Sequence, residues 1–156
     1  MNFVLCTSCN IRTERPEYFF DLFLNITKSD CQAFNKNLEE SLQNLFADET
    51  LNGDNKYNCG TCNSKQDAIK GMRLVDLPTY VSFYINRFSF DMNTFERIKL
   101  KNDFVFPLDV NLQEYLDKES QVKDSHYELF AVMIHRGNAY SGHYHIVIKD
   151  ILNEVY

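Results

Sequence analysis

The chain has no excess of positive charge, no long hydrophobic run, and no internal repeat, linker or low-complexity segment. Its 16 Lys and Arg stand against 22 Asp and Glu, a formal net charge of -6 with a pI near 5.2. Such a balance cannot neutralise phosphates in quantity, which argues against nucleic acid or an anionic membrane as the main partner. No apolar stretch approaches the ~20 residues of a membrane span, and the opening apolar residues are too few for a signal peptide. The chain is therefore expected to be soluble and intracellular, cytoplasmic or nuclear. What is present suffices for a core: 156 residues, 44% hydrophobic and 14% aromatic, are expected to form one domain or part of one.

Cysteine is also scarce, at five, and its placement is informative. Four fall in two pairs with the same two-residue gap, Cys6 with Cys9 and Cys59 with Cys62, leaving Cys31 alone. That gap lets both thiolates of a pair point inward from one tight turn at ~2.3 Å from an ion, so two such turns make a closed tetrahedral zinc site. Gly60 inside the second pair suits the turn. Disulfides of a secreted protein or two unrelated pairs would share the spacing.

Taken in order, residues 3–6 read as a strand entering the first cysteine turn. Residues 18–26 read as another, with Phe20, Leu22, Leu24 and Ile26 on a face that should pack inward. A helix is expected at about residues 38–46, where Leu38, Leu42, Leu45 and Phe46 recur at helical spacing after Asn37, a potential cap with Glu40 three positions on. Residues 48–62 are polar and turn-rich. Residues 66–75 should be a strand leaving the second cysteine turn, ended by Pro78. Residues 80–90 are the most hydrophobic strand, with Val81, Phe83 and Ile85 on one face and Arg87 either at the strand end or in a salt bridge. A turn at 91–94, a strand at 96–100 and a short helix at 112–116 follow, and then a charged loop at 117–125.

The closing segment carries the candidate chemistry. Residues 127–134 alternate as a strand, 136–142 form a Gly/Asn/Ser turn, and 144–148 form a second β-branched strand. His143 stands where loop becomes strand, held still as a general base must be, and Gly142 beside it allows close approach of another stretch. A partly buried polar histidine is the ordinary alternative. His135 and His145 read as structural.

The segment containing His135, Gly137, Gly142, His143 and Tyr144 resembles the histidine box of the ubiquitin-specific proteases, the cysteine deubiquitinases. Three further stretches resemble the same family in the same order: Glu17 through Ile26; Glu49, Leu51, Gly53, Asn55, Tyr57, Cys59 and Cys62; and Arg87-Phe88 with Arg97 to Leu100, Phe106-Pro107 and Asp109. The resemblance spans nearly the whole chain and implies its roles. His143 falls on the catalytic histidine, and Cys6, Cys9, Cys59 and Cys62 fall on the ligands of a structural zinc ribbon. Gly137, Asn138, Ser141, Gly142 and Tyr144 fall on a loop folding over the ubiquitin tail. Residues 117–125 sit where the family has a second such loop, a solvated loop being the alternative reading. Ubiquitin and ubiquitinated proteins are the implied partners.

The fold class expected is α+β, mainly antiparallel β: zinc-ribbon fingers at about residues 1–75 and palm at about 76–156 of a papain-like cysteine protease fold. In that family the nucleophile precedes the fingers, so it is expected upstream of Met1, and this chain alone is expected to be inactive. Cys31 lacks the family's nucleophile box. The family's third residue, an Asp or Asn, also lacks a clear match: Asp150 is seven strand steps from His143, about 23 Å along the strand and on its opposite face. Asn153 or Glu154 would need a hairpin turning back. A thiol-dependent ubiquitin carboxyl-terminal hydrolase is the leading expectation. A catalytically inactive ubiquitin-binding zinc-ribbon module is the alternative, and a zinc-ribbon interaction domain with no ubiquitin link is a third.

Overall fold

In a computed structural model, residues 1–27, 33–150 and 152 are described. Cys31, Asn153 and Glu154 lie outside them. The strands are β1 (Asn2–Cys6), β2 (Arg12–Arg15), β3 (Asp21–Asn25), β4 (Glu49–Leu51), β5 (Tyr57–Cys59), β6 (Ser64–Gln66), β7 (Ala68–Met72), β8 (Ser82–Asn86), β9 (Phe88–Asp91), β10 (Glu96–Lys99), β11 (Asp109–Asn111), β12 (His126–Glu128), β13 (Ala131–Gly137) and β14 (Gly142–Ile148). One α-helix, α1 (Leu38–Phe46), and two single 3-10 turns, Gly53–Asn55 and Gln113–Tyr115, complete the described elements. The fold is mainly antiparallel β with few helices, as expected; the parallel pair β3 and β8 departs from that rule.

The core forms where β3 and β8 meet α1. In-register pairs Leu22 with Phe83 and Leu24 with Ile85 put alternate residues on one face, and Val81, Phe83 and Ile85 pack there as their spacing predicts. Against them α1 presents Leu38, Leu42 and Phe46, all buried, with Phe46 stacked on Tyr115 at 4.8 Å. The helix starts as its sequence signals: the Asn37 side chain accepts from the Glu40 amide at 2.8 Å, and Glu39 and Glu40 lie at the positive end of the helix dipole. Its far end carries no basic residue of its own. Arg73, just past β7, supplies the charge instead and donates to the Phe46 carbonyl at 3.0 Å.

Several expected strands break. Phe20, placed inward by alternation, is 97% exposed, because β3 starts only at Asp21 and the pleat does not reach back to it. The strand at 66–75 is split at Asp67, whose carbonyl receives both the Thr7 amide (3.0 Å) and the Thr7 hydroxyl (2.8 Å). That at 80–90 is split at Arg87. Its guanidinium donates to the carbonyls of Leu100 (3.3 Å) and Asn102 (2.8 Å) and makes no carboxylate pair among the described residues, so it ends the strand rather than entering a salt bridge. Likewise the helix expected at 112–116 is a single 3-10 turn, and the strand at 127–134 breaks before β13.

A four-stranded antiparallel sheet in the order β2-β1-β7-β4 carries the cysteine-bearing end. It is fastened to the rest by Arg12 of β2, whose guanidinium lies 4.4 Å over the Phe3 ring and donates to the buried Asp117 carboxylate. Residues 117–125, expected as a surface loop, therefore have buried ends: Asp117 and Ser125 are inside, the Asp117 amide donates to Leu74 at 2.7 Å, and Ser120 Oγ donates to Val75 at 2.7 Å.

Candidate metal and histidine sites

The two cysteine turns are carried by adjoining strand ends. β1 delivers Cys6, and the short hairpin of β5 and β6 delivers Cys59 and Cys62. Ser8 Oγ donates to Gln66 Oε1 at 2.6 Å, and with the Thr7 contacts to Asp67 this sets one turn against the other. After the second cysteine of each pair comes an Asn in the left-handed region, Asn10 at φ 56° and Asn63 at φ 52°. Asn tolerates that region better than most residues, and it is the detail the sequence offered and the reading above missed. Gly60, assigned to the turn, has no positive φ, and a Cβ there would meet nothing within 4 Å, so the turn does not need its freedom.

All four sulfurs lie within 4.8 Å of one another, with Cys9 and Cys59 Sγ at 3.7 Å and Cys6 and Cys62 Sγ at 4.0 Å. None is in a disulfide. Metal–sulfur bonds of about 2.3 Å in a tetrahedron set sulfur separations of roughly 3.8 Å, so these two separations match that spacing and the donor set as a whole is compact enough to close on one ion. Cys6 and Cys59 are buried, Cys9 and Cys62 half-buried. The Cys62 amide donates to Cys59 Sγ at 3.5 Å and pulls the Cys59 thiol down to about 7, while hydrogen bonding to Cys9 and burial push the Cys62 thiol up to about 12.

The histidine segment forms a separate antiparallel hairpin, β13 with β14, in which Arg136 lies opposite His143 and Gly137 opposite Gly142. Between the strands Asn138 Oδ1 accepts the amides of Tyr140 (2.8 Å) and Ser141 (2.9 Å), while the Asn138 amide donates to Ser141 O at 2.9 Å. Gly137 at φ 142° opens this turn in a conformation that side chains rarely adopt. The loop residues expected to act together are thus in one hydrogen-bonded turn: Gly137, Asn138 and Ser141 within it, Gly142 and Tyr144 on either side of His143.

His143 is exposed and, by the register, shares its face with Arg136 and His145. β14 runs unbroken to Ile148 and the Lys149 amide bonds Phe130 O at 2.9 Å, so Asp150 stays remote from the imidazole. Beside the loop an open cavity of about 460 Å³ is lined by Phe88, Ser89, Phe90, Arg97 and Ala139. The hairpin of β9 and β10 therefore stands next to the histidine loop.

Four clustered cysteine sulfurs that could hold a metal ion and an exposed histidine at a loop end are thus carried on one mainly antiparallel β chain. The family model for the ubiquitin carboxyl-terminal hydrolases matches residues 12–154, and the chain belongs to that family. It is 36% identical over 154 residues to ubiquitin carboxyl-terminal hydrolase 40 of Mus musculus and of Homo sapiens, covering 97% of this chain and 12% of each relative. It is 37% identical over 147 residues to ubiquitin carboxyl-terminal hydrolase 48 of Danio rerio, covering 94% of this chain and 13% of that relative. In the solved structure of the SAGA Ubp8/Sgf11/Sus1/Sgf73 DUB module bound to ubiquitin aldehyde, one chain superposes with a TM-score of 0.74 at 31% identity, covering 96% of this chain and 33% of that one. The chain thus spans about an eighth of the length of these curated relatives.

Proposed function

We propose that this chain is the fingers (about 1–75) and palm (about 76–156) of a thiol-dependent deubiquitinase, with His143 its general base and then acid. The observation that carries the reading is the position of His143: exposed, at the first turn-to-strand junction of a hydrogen-bonded hairpin, within a chain that the family model covers almost end to end. The nucleophilic cysteine belongs to sequence upstream of residue 1 in the same domain. His143 takes the thiol proton, and the thiolate attacks the carbonyl carbon of ubiquitin's terminal glycine. As the tetrahedral intermediate collapses, the imidazolium returns that proton to the leaving lysine amine; water then hydrolyses the thioester. Zinc held by Cys6, Cys9, Cys59 and Cys62 supplies a structural crosslink and takes no part in bond breaking. The loop from Gly137 to Gly142, with Tyr144, faces the ubiquitin tail.

The exposed apolar side chains of the histidine hairpin, Met133, Ile146 and Ile148, support the same reading, because an apolar face of this kind is what the rest of a larger domain would cover. A second reading, a ubiquitin-binding module without hydrolysis, is favoured by the commitment of every described cysteine to the cluster.

The test is hydrolysis of a fluorogenic ubiquitin ester or amide, and labelling by a ubiquitin-based electrophile, in the natural full-length protein. Turnover that falls roughly 10²–10⁴-fold in His143→Ala while ubiquitin affinity holds supports the enzyme. Unchanged turnover in that variant removes His143 from the mechanism. Ubiquitin binding without labelling or turnover leaves the binding module.

A further inference from the structure

The hairpin contains a second histidine for which the mechanism above has no use. His135 is half-buried on β13, directly opposite Tyr144 in the register, and its ring centroid lies 4.7 Å from that of Tyr144. On its other side the ring meets Phe88 of β9 edge-on at 5.5 Å. Its carbonyl accepts from Lys99 Nζ at 2.8 Å, which ties β13 to β10. A Cβ built on Gly142 would run into His135 Nε2 and come within 2.5 Å of the Arg136 carbonyl oxygen. The close approach that Gly142 permits is therefore made by the chain's own His135. The ring Nδ1 is buried with no hydrogen-bond partner among the described residues, so what the ring contributes on that side is shape and aromatic contact rather than a polar tie.

These contacts bracket His143. The residue before it lies under the His135 ring and the ring of the residue after it packs at a tilt of 46° against the same ring, while His143 itself points to the other face of the hairpin. We propose that His135 is a positioning residue: an aromatic wedge between Phe88 and the Gly142–Tyr144 backbone that sets where β14 begins and so where the His143 imidazole stands. The proposal rests on the reading of His143 as the base. It assigns His135 no contact with substrate and no proton to carry.

The wedge predicts that a ring is required and that imidazole chemistry is not. The test compares His135→Ala, His135→Phe and His143→Ala in the full-length protein, reading kcat and KM on a fluorogenic ubiquitin substrate and amide hydrogen exchange across residues 142–145. His135→Ala is expected to lower kcat by ~10²-fold with KM within about twofold, since a displacement of order 1 Å at a catalytic group costs that much. Exchange across 142–145 should quicken about tenfold or more. His135→Phe is expected to restore both, kcat to within about threefold. The proposal is overturned if His135→Ala leaves kcat and exchange at wild-type values, if the change falls on KM, or if His135→Phe is as poor as His135→Ala. Wild-type turnover in His143→Ala would instead sink the assignment of His143 as base. Hydrogen exchange still decides whether His135 sets the start of β14, with or without turnover.

Discussion

Replacing either partner of the Arg12–Asp117 pair tests how the cysteine-bearing sheet is fastened to the rest of the fold, and the two replacements should differ. The Asp117 side chain is 7% exposed and that of Arg12 30%. Arg12→Met keeps most of the packing on Phe3 but leaves a buried carboxylate with the Glu119 amide, at 3.1 Å, as its remaining close donor. An uncompensated buried charge of this kind costs about 3–5 kcal/mol, here nearer the lower figure because Arg12 is partly wetted. Asp117→Asn leaves the cation half-solvated, still over Phe3 and with Glu14 Oε1 3.0 Å from its Nε, so about 1–2 kcal/mol is expected. In a chain of this size those losses correspond to Tm decreases of roughly 6–14 °C and 2–8 °C. The pair also fixes a pH dependence. Hydrogen bonding from Arg12 holds the Asp117 carboxyl below the ordinary carboxylate range. A folded-state pKa that is depressed gives stability present above the unfolded-state value, about 3.9, and lost as pH falls through the folded-state value. The gap between wild type and Asp117→Asn should therefore be full at neutral pH and close in strong acid. Chemical denaturation from pH 7 down to pH 2 reads it. Arg12→Met costing less than Asp117→Asn, or a gap that widens on acidification, would refute the reasoning.

Three other outcomes follow from the same structure. Removing metal with a chelator should unfold the β1–β2 and β5–β6 turns, since a closed thiolate site contributes folding free energy directly; an unchanged circular dichroism spectrum and thermal transition would defeat the structural role. Leu42→Ala, at a side chain 1% exposed between α1 and β3, should cost about 2–5 kcal/mol, read from the urea midpoint. Asn37→Ala removes the bond to the Glu40 amide and should cost about 1 kcal/mol, with faster amide exchange confined to the first turn of α1.

Much of the architecture was legible because its causes are local. The Asn37 cap, the leucine spacing of α1, the alternation of Leu22 and Leu24 and the paired cysteine gaps each act over a few residues, and each appears as expected. Strand boundaries were legible only in part. The expected strands run through Phe20 and Arg87, yet β3 starts after the first and β8 ends before the second, where the Arg87 guanidinium donates to the Asn102 carbonyl and the Leu100 amide donates to the Arg87 carbonyl, both distant in sequence. The turn residues Asn10 and Asn63 were present but outweighed by the more familiar signal of Gly60.

What the sequence alone determined is therefore chemistry and short-range geometry: four cysteines in two tight turns, a capped helix, a histidine at a loop end, and a net negative charge. What only the tertiary structure decided is which distant stretches meet. Bringing Cys6 to Cys62, Arg12 to Asp117, and the β9–β10 hairpin to Ala139 depends on the packing of β1, β7 and the core between them. The reason is physical: helix, cap and turn preferences are set by neighbours a few residues away, whereas closing a contact across a hundred residues is decided by the summed burial of the whole fold.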